Sequence, residues 1–232
     1  MCYANAMKFV KATADTGVQA VYDALRVPLE AGKNVVWLVS GGSNIPLEVE
    51  IADKLAEHFG KTLHHLTILL TDERYGAAGH INSNYKQLVD ARFKLPSANF
   101  IDILGRNLSL EDAVEYYKGT VMQALETANF VLAQFGVGSD GHIAGILPHS
   151  PAATIEVDTV VGYKWRDYDR ITLTYPLLIR INAAYTFAYG DGKLVALTRL
   201  QKNNEDFAAL PSKLLYDIKD AYVYNDKIEE AK

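Results

Sequence analysis

The chain has 232 residues, of which 49% are hydrophobic and 22% charged, so it is long and apolar enough to bury a full core. Its net charge of -5 argues against nucleic acid as the main partner, because no basic excess is present to neutralise phosphates along a duplex. The single cysteine, Cys2, excludes an intramolecular disulfide and a cysteine-cluster metal site, and no stretch approaches the roughly 20 apolar residues of a membrane span. We therefore expect a cytoplasmic protein without a membrane partner.

The first third of the chain predicts a helix, a strand and a second helix. Residues 4–31 carry apolar side chains at helical spacing, and the unbroken apolar run 35–39 predicts a parallel strand covered on both faces. The run ends in Gly41, Gly42 and Ser43 and leads into a helix predicted at 46–59. Such a turn directs backbone amides and a helix N-terminus at one spot, which is an arrangement that binds phosphate. A plain strand-to-helix turn is the alternative.

A second buried strand, predicted at 66–71, is followed by the charged residues Asp72, Glu73 and Arg74. Ligands of open α/β sheets bind beyond the carboxyl ends of strands, so these charges are candidates for a site. A solvated cluster of salt bridges is the alternative. Further along, the sequence predicts three elements in chain order: a helix at 84–93, a strand at 100–104 and a helix at 110–127 capped by Ser109.

The most informative stretch is the glycine-rich loop 135–150, which follows a strand predicted at 129–134. Its glycines allow the backbone to come close to a ligand without an intervening Cβ. Among them lie Asp140 and His142, and a carboxylate beside an imidazole offers acid–base chemistry near neutral pH. The alternative is a solvated loop with an incidental histidine.

The remainder of the chain continues the alternation of strands and helices. Strands are predicted at 154–163, 170–174, 183–189 and 221–224, and helices at 175–181, 194–200 and 211–216. Another glycine turn, ending in Lys193, lies beyond a strand and before a helix. This alternation predicts an α/β fold with a largely parallel sheet, in one domain over residues 1–232.

Several motifs occur together in the order found in one known superfamily. They are Ser40-Gly41-Gly42-Ser43, Asp72-Glu73-Arg74, Ser83-Asn84-Tyr85, the segment 136–144, Arg170-Ile171-Thr172-Leu173-Thr174, Gly190-Asp191-Gly192-Lys193 and Leu210-Pro211-Ser212. Over about residues 35–226 the chain resembles the 6-phosphogluconolactonase and glucosamine-6-phosphate isomerase (deaminase) superfamily. The resemblance implies a Rossmann-like, mostly parallel sheet with helices on both faces, of the NagB/RpiA/CoA transferase-like type.

Within that superfamily the sequence looks more like the lactonase branch. Deaminases typically carry Asn-Glu-Pro after the Asp-Gly-His motif, and here Leu147 replaces the glutamate that the deaminase uses in opening the sugar ring. The resemblance therefore implies hydrolysis of 6-phospho-D-glucono-1,5-lactone to 6-phosphogluconate in the pentose phosphate pathway. The alternatives are a deaminase or isomerase acting on an amino-sugar phosphate and a non-catalytic sugar-phosphate-binding protein.

The resemblance also implies roles for individual residues. His142 is the expected general base, with Asp140 or Asp72 fixing its tautomer, and Arg74 is expected to contact the phosphate or the developing negative charge. The expected ligands of the substrate phosphate are Gly41, Gly42, Ser43, Arg170 and Lys193. We expect a small-molecule sugar phosphate as the ligand, no cofactor and no metal, and a monomer or small homo-oligomer.

Overall fold

The computed structural model describes residues 7–229, and ten strands lie in this range. In chain order they are β1 (Lys8–Lys11), β2 (Val35–Val39), β3 (Leu66–Leu70), β4 (Asp72–Arg74), β5 (Asn99–Phe100), β6 (Phe130–Gly136), β7 (Val160–Tyr163), β8 (Arg170–Leu173), β9 (Ala183–Phe187) and β10 (Asp220–Asn225). Seven of them form one sheet in the order β1-β10-β9-β6-β2-β3-β5. Every pair of neighbours in this sheet is parallel, so the predicted fold class is confirmed.

The helices pack on this sheet because its central strands are apolar on both sides. In chain order the helices are α1 (Ala14–Glu30), α2 (Ile45–Phe59), α3 (Asn84–Asp90), α4 (Leu110–Thr127), α5 (Tyr175–Leu178) and α6 (Leu194–Lys202). All five residues of β2 are buried, which requires cover on both faces of the sheet. The predicted cap of α4 is present, since the Ser109 hydroxyl accepts a hydrogen bond from the Asp112 amide. Within residues 7–229 no helix is both long and apolar enough to cross a membrane.

A second, three-stranded sheet was not predicted. Strands β4, β8 and β7 pair antiparallel in that order, with Asp72 opposite Thr172 and Arg74 opposite Arg170. β4 begins immediately after β3, so the chain passes from the large sheet into the small one between Leu70 and Asp72. The small sheet therefore stands beside the carboxyl end of β3.

The prediction of a helix over residues 4–31 is wrong at its start. Residues 8–11 form β1, and the helix begins at Ala14; the part of the prediction that falls on residues 1–6 lies outside the described residues. In β1 the side chain of Phe9 is buried, while Lys8 on the opposite face of the strand is exposed. Its pairing partner is β10, near the other end of the sequence, so no local pattern indicates it.

Two predicted strands are shorter than expected, and side-chain hydrogen bonds explain both ends. After Phe100, the Asp102 carboxylate accepts bonds from the amides of Leu104 and Gly105, which turns the chain away from the sheet. The strand predicted at 154–163 begins only at Val160. Before it, the Thr159 amide donates to the hydroxyl of Thr174 and not to a backbone carbonyl, so the ladder with β8 is incomplete at this end.

The loops after β2 and β6 meet at a change of direction in the sheet. From β2 the chain goes first to β3 on one side and only later to β6 on the other side of β2. Because all these strands are parallel, their carboxyl ends lie at one edge, and the connections leave β2 and β6 in opposite directions. Such a switch point opens a crevice between the loops, where α/β proteins bind ligands.

Candidate active site

A cleft of about 270 Å³ opens at this switch point. Eight of the nine residues predicted from the sequence line it: Gly41, Gly42, Ser43, Asp72, Arg74, His142, Arg170 and Lys193. The ninth, Asp140, is hydrogen-bonded to His142. The loop after β2, the loop after β6, the small sheet and the turn before α6 each contribute to the wall, so residues far apart in the sequence are brought to one place.

His142 and Asp140 form a hydrogen-bonded pair at the rim of the cleft. The His142 Nδ1 lies 2.7 Å from Asp140 Oδ1, which also accepts the His142 amide at 3.1 Å. The hydrogen bond from His142 lowers the pKa of Asp140 to about 2, although partial burial opposes this shift. Asp72, the other carboxylate considered for orienting the imidazole, makes no hydrogen bond to it among the described residues. Because Nδ1 is bound to Asp140, Nε2 is the ring nitrogen of His142 that remains for another partner.

The pair depends on a close backbone approach at Gly138. A Cβ at this position would lie 2.1 Å from His142 Nδ1 and 2.5 Å from Asp140 Oδ1. The loop is held from behind by Arg199 of α6, which donates to the Asp140 carbonyl at 2.8 Å while its guanidinium binds the Glu205 carboxylate. Arg199 was not predicted as a site residue, because an arginine on an amphipathic helix carries no local signal of such a contact.

The glycine loop after β2 is shaped by Asn84, at the start of α3. A Cβ at Gly41 would lie 2.0 Å from Asn84 Oδ1, so only glycine fits against this buried amide. The Asn84 Nδ2 donates to the Asp72 carbonyl at 2.9 Å and lies 3.5 Å from its carboxylate. Asn84 thus connects the glycine loop to the small sheet, and Gly42 and Ser43 are left exposed.

Three cations surround the cleft. The guanidiniums of Arg74 and Arg170 lie on neighbouring strands, and each is 5.8 Å from the ring centre of Tyr168. Arg170 is bound by Asp167 at 2.8 Å, yet its buried Nε has no partner among the described residues. Lys193 donates to the Val137 carbonyl at 2.6 Å, and burial lowers its pKa against the opposing charge of Asp140. The site is therefore positively charged around its amide-lined loop.

Of the two acids in Asp72-Glu73-Arg74, only Asp72 lines the cleft. Glu73 points the other way and is fully buried. Its carboxylate accepts hydrogen bonds from the amides of Asn84 and Tyr85 and from the Ser83 hydroxyl, at 2.7, 3.0 and 2.8 Å. Glu73 therefore caps the start of α3 and fixes the position of Asn84. Among residues 7–229, no group of three or more His, Cys, Asp or Glu side chains could hold a metal ion.

Replacing Gly41 by alanine is expected to destabilise the protein by about 1–3 kcal/mol, because the new methyl group overlaps the buried Asn84 amide. The matched control is Gly119→Ala in α4, where a Cβ meets nothing within 4 Å. That substitution should stabilise by about 0.5–1 kcal/mol through helix propensity. Urea unfolding of the two variants measures the difference, and equal effects would contradict the close approach at Gly41.

Fold and cleft together define an α/β protein with a positively charged, amide-lined pocket and an imidazole–carboxylate pair at its switch point. A family model described as "Glucosamine-6-phosphate isomerases/6-phosphogluconolactonase" matches residues 7–223. The chain belongs to this family, which confirms the predicted superfamily. A 6-phosphogluconolactonase of Thermotoga maritima is 29% identical over 199 residues, covering 82% of this chain and 86% of the relative.

Solved structures show the same fold in both branches of the family. A 6-phosphogluconolactonase from Leishmania guyanensis superposes with a TM-score of 0.77 at 22% identity, covering 95% of this chain and 96% of the other. A monomeric glucosamine-6-phosphate deaminase gives a TM-score of 0.77 at 16% identity, covering 95% and 98%. Because both superpose equally well, the fold does not separate the branches. The similarity to sequences named 6-phosphogluconolactonase agrees with the branch that the motifs indicate.

Proposed function

We propose that the chain hydrolyses 6-phospho-D-glucono-1,5-lactone to 6-phosphogluconate, as a lactonase of the pentose phosphate pathway. The observation that carries the proposal is the His142–Asp140 pair at the rim of a cleft that is also lined by the glycine loop and three cations. The substrate offers two matching groups, a phosphate and an ester carbonyl. The names of the relatives support the same substrate.

In this proposal the phosphate is bound away from the histidine, which positions the lactone ring. The amides of Gly41 and Gly42, the Ser43 hydroxyl and the cations Arg170 and Lys193 supply its hydrogen bonds. The amides require no reorganisation, because Asn84 and α2 already fix the loop. Binding energy from the phosphate then orients a carbonyl that itself has few groups to recognise.

His142 acts as the general base on the attacking water. Asp140 holds Nδ1, so Nε2 accepts a proton as the water oxygen bonds to the carbonyl carbon and a tetrahedral oxyanion forms. The oxyanion collapses by breaking the bond between that carbon and the ring oxygen. The proton passes from His142 to the departing ring oxygen, which becomes the hydroxyl of the ring-opened acid. The lactone and one water together give the ring-opened acid, and the histidine returns to its starting protonation state.

The second candidate is a deaminase or isomerase of an amino-sugar phosphate, a reaction that the same fold also supports. In that reaction Asp72 would move a proton between carbon atoms, and His142 would assist ring opening. Two observations weigh against it. Leu147 stands where the deaminase glutamate is expected, and it lines not the cleft but a neighbouring groove, whose wall includes Pro148, His149, Trp165 and Arg166. A non-catalytic sugar-phosphate-binding protein ranks last, since it has no need of the Asp140–His142 pair.

The deciding experiment compares 6-phosphogluconolactone with glucosamine 6-phosphate as substrates of the same preparation. Acid release above the spontaneous rate of lactone opening, without ammonia release from the amino sugar, is the expected result. Ammonia release with no acceleration of lactone opening would replace the lactonase by the deaminase. Neither activity, with phosphate binding retained, would favour the binding protein.

We further propose that the protein works in the cytoplasm as a monomer or small homo-oligomer. The single cysteine in the sequence supports a reducing compartment. Light scattering coupled to gel filtration measures the oligomeric state directly.

A further inference from the structure

Glu48 lies in the first turn of α2 and is fully buried behind the glycine loop. Its Oε1 accepts hydrogen bonds from the Ser40 amide at 2.7 Å and from the Ser40 hydroxyl at 3.3 Å. Ser40 is the last residue before Gly41 and lines the cleft, whereas Glu48 itself does not. Glutamate is seldom buried without a paired cation, and the mechanism above makes no use of this one.

We propose that Glu48 is a positioning residue that holds Ser40, and through it the glycine loop, in the shape that binds phosphate, and that it does so as an uncharged acid. The inference rests on the proposed function only in taking this loop as the phosphate-binding site. It adds a residue that belongs to none of the motifs in the sequence.

The hydrogen bonds around Ser40 run in one direction. Asn44 Nδ2 donates to the Ser40 hydroxyl oxygen at 3.2 Å, which leaves the hydroxyl proton to be donated to Glu48. Oε1 of Glu48 thus receives two donors, while Oε2 is buried with no partner among the described residues. A charged carboxylate would leave that oxygen unpaired in an apolar setting, which is strongly unfavourable. A proton on Oε2 removes the charge without disturbing the bonds to Ser40.

The charges near Glu48 favour the same form. Burial raises its pKa to about 8, and the negative charge of Asp72 on β4 adds to this, against the lowering effect of the Ser40 hydrogen bonds. The other groups that contact it or its partner, Ser40 and Asn44, are neutral. Glu48 is therefore protonated at neutral pH and ionises as the pH rises through about 8. An anion formed there would lie directly behind the loop and repel a phosphate dianion.

The test is the binding of inorganic phosphate, measured by calorimetry at about pH 7 and about pH 9 for the wild type, Glu48→Gln and Glu48→Ala. Between these pH values the wild-type affinity should fall by up to about tenfold, because the protonated fraction of a group with a pKa of about 8 falls by about this factor. Glu48→Gln keeps the acceptor for Ser40 and cannot ionise. Its affinity for phosphate should equal that of the wild type at pH 7 and should not show this decrease at pH 9. Glu48→Ala loses the acceptor and should bind weakly at both values.

Two controls isolate the effect. Glu50→Gln changes an exposed glutamate on the same helix and should behave as the wild type throughout. Burial lowers the pKa of Lys193, but this residue is the same in all variants, so the difference between the wild type and Glu48→Gln reports Glu48. Circular dichroism establishes folding, and if Glu48→Ala does not fold, the comparison with Glu48→Gln still decides.

An equal fall with pH in the wild type and Glu48→Gln would overturn the inference, as would weak binding by folded Glu48→Gln at pH 7. Either result would leave the glycine loop as the phosphate site. Failure of the wild type to bind phosphate at both pH values would instead overturn the assignment of the loop, and the inference with it. Lactone hydrolysis is measured separately, so its failure is distinguishable from both.

Discussion

Replacing His142 by alanine is expected to lower kcat for lactone hydrolysis by about 10²- to 10⁴-fold, the usual contribution of a positioned general base. The physical reason is the orientation of the ring: Asp140 binds Nδ1 at 2.7 Å, and only a histidine held in this way presents Nε2 to a water. The cations and the glycine loop are untouched by the substitution. KM should therefore change little, because the lost interaction belongs to the transition state.

The matched control is His149→Asn on the same loop. His149 is exposed, lines the neighbouring groove and has a φ of 58°, a backbone conformation that asparagine tolerates. The rate of acid release at constant pH, corrected for spontaneous lactone opening, gives kcat for each variant. A folded His142→Ala protein with wild-type kcat would remove His142 from the mechanism.

Replacing Arg170 by glutamine is expected to raise KM by about 10- to 150-fold, since a charge-assisted hydrogen bond contributes about 1.5–3 kcal/mol and each 1.4 kcal/mol is tenfold in affinity. Arg170 is buried at the cleft, and its Nε has no partner among the described residues. Asp167 fixes the guanidinium from one side, so little entropy is lost on binding phosphate. The same variant should lose a similar factor in affinity for inorganic phosphate.

Arg166→Gln is the control for this prediction, because Arg166 is exposed beside Trp165 in the neighbouring groove. Arg170→Lys should recover only part of the affinity, since an ammonium cannot reproduce the planar fork of a guanidinium. Steady-state kinetics over a range of lactone concentrations separates the two constants. A fall in kcat at unchanged KM would mean that Arg170 acts on the reacting carbonyl and not on the phosphate.

The parts of the fold that could be predicted are those with a local signal. Strands β2, β3 and β6 are short, mostly apolar segments, and each is followed by glycines or charges that mark the edge of the sheet. β4 has only three residues, two of them acidic, and its strand conformation depends on pairing with β8 almost a hundred residues later. β1 depends in the same way on β10. A single sequence carries no local record of such pairings.

The residues of the candidate site also differ in whether a local sequence signal indicates them. The residues proposed for chemistry and for phosphate stand in the short motifs that carry the family resemblance, several of which contain glycine. The supporting residues are different: Asn84 reaches back to Asp72, Arg199 reaches the loop carbonyl of Asp140, and Glu48 holds Ser40. Each of these contacts joins two separate elements. Only the folded chain shows that these side chains belong to the site.

The antiparallel register of β4 against β8 determines which side chains of β4 face the cleft. Successive residues of a strand point to opposite faces, so Asp72 and Arg74 share the cleft side while Glu73 faces away. A slip of one residue would place Glu73 in the cleft and leave the first turn of α3 without its cap. The amides and hydroxyl that bind Glu73 therefore favour the correct pairing, so the docking of α3 and the placement of Asp72 and Arg74 toward the cleft stabilise each other.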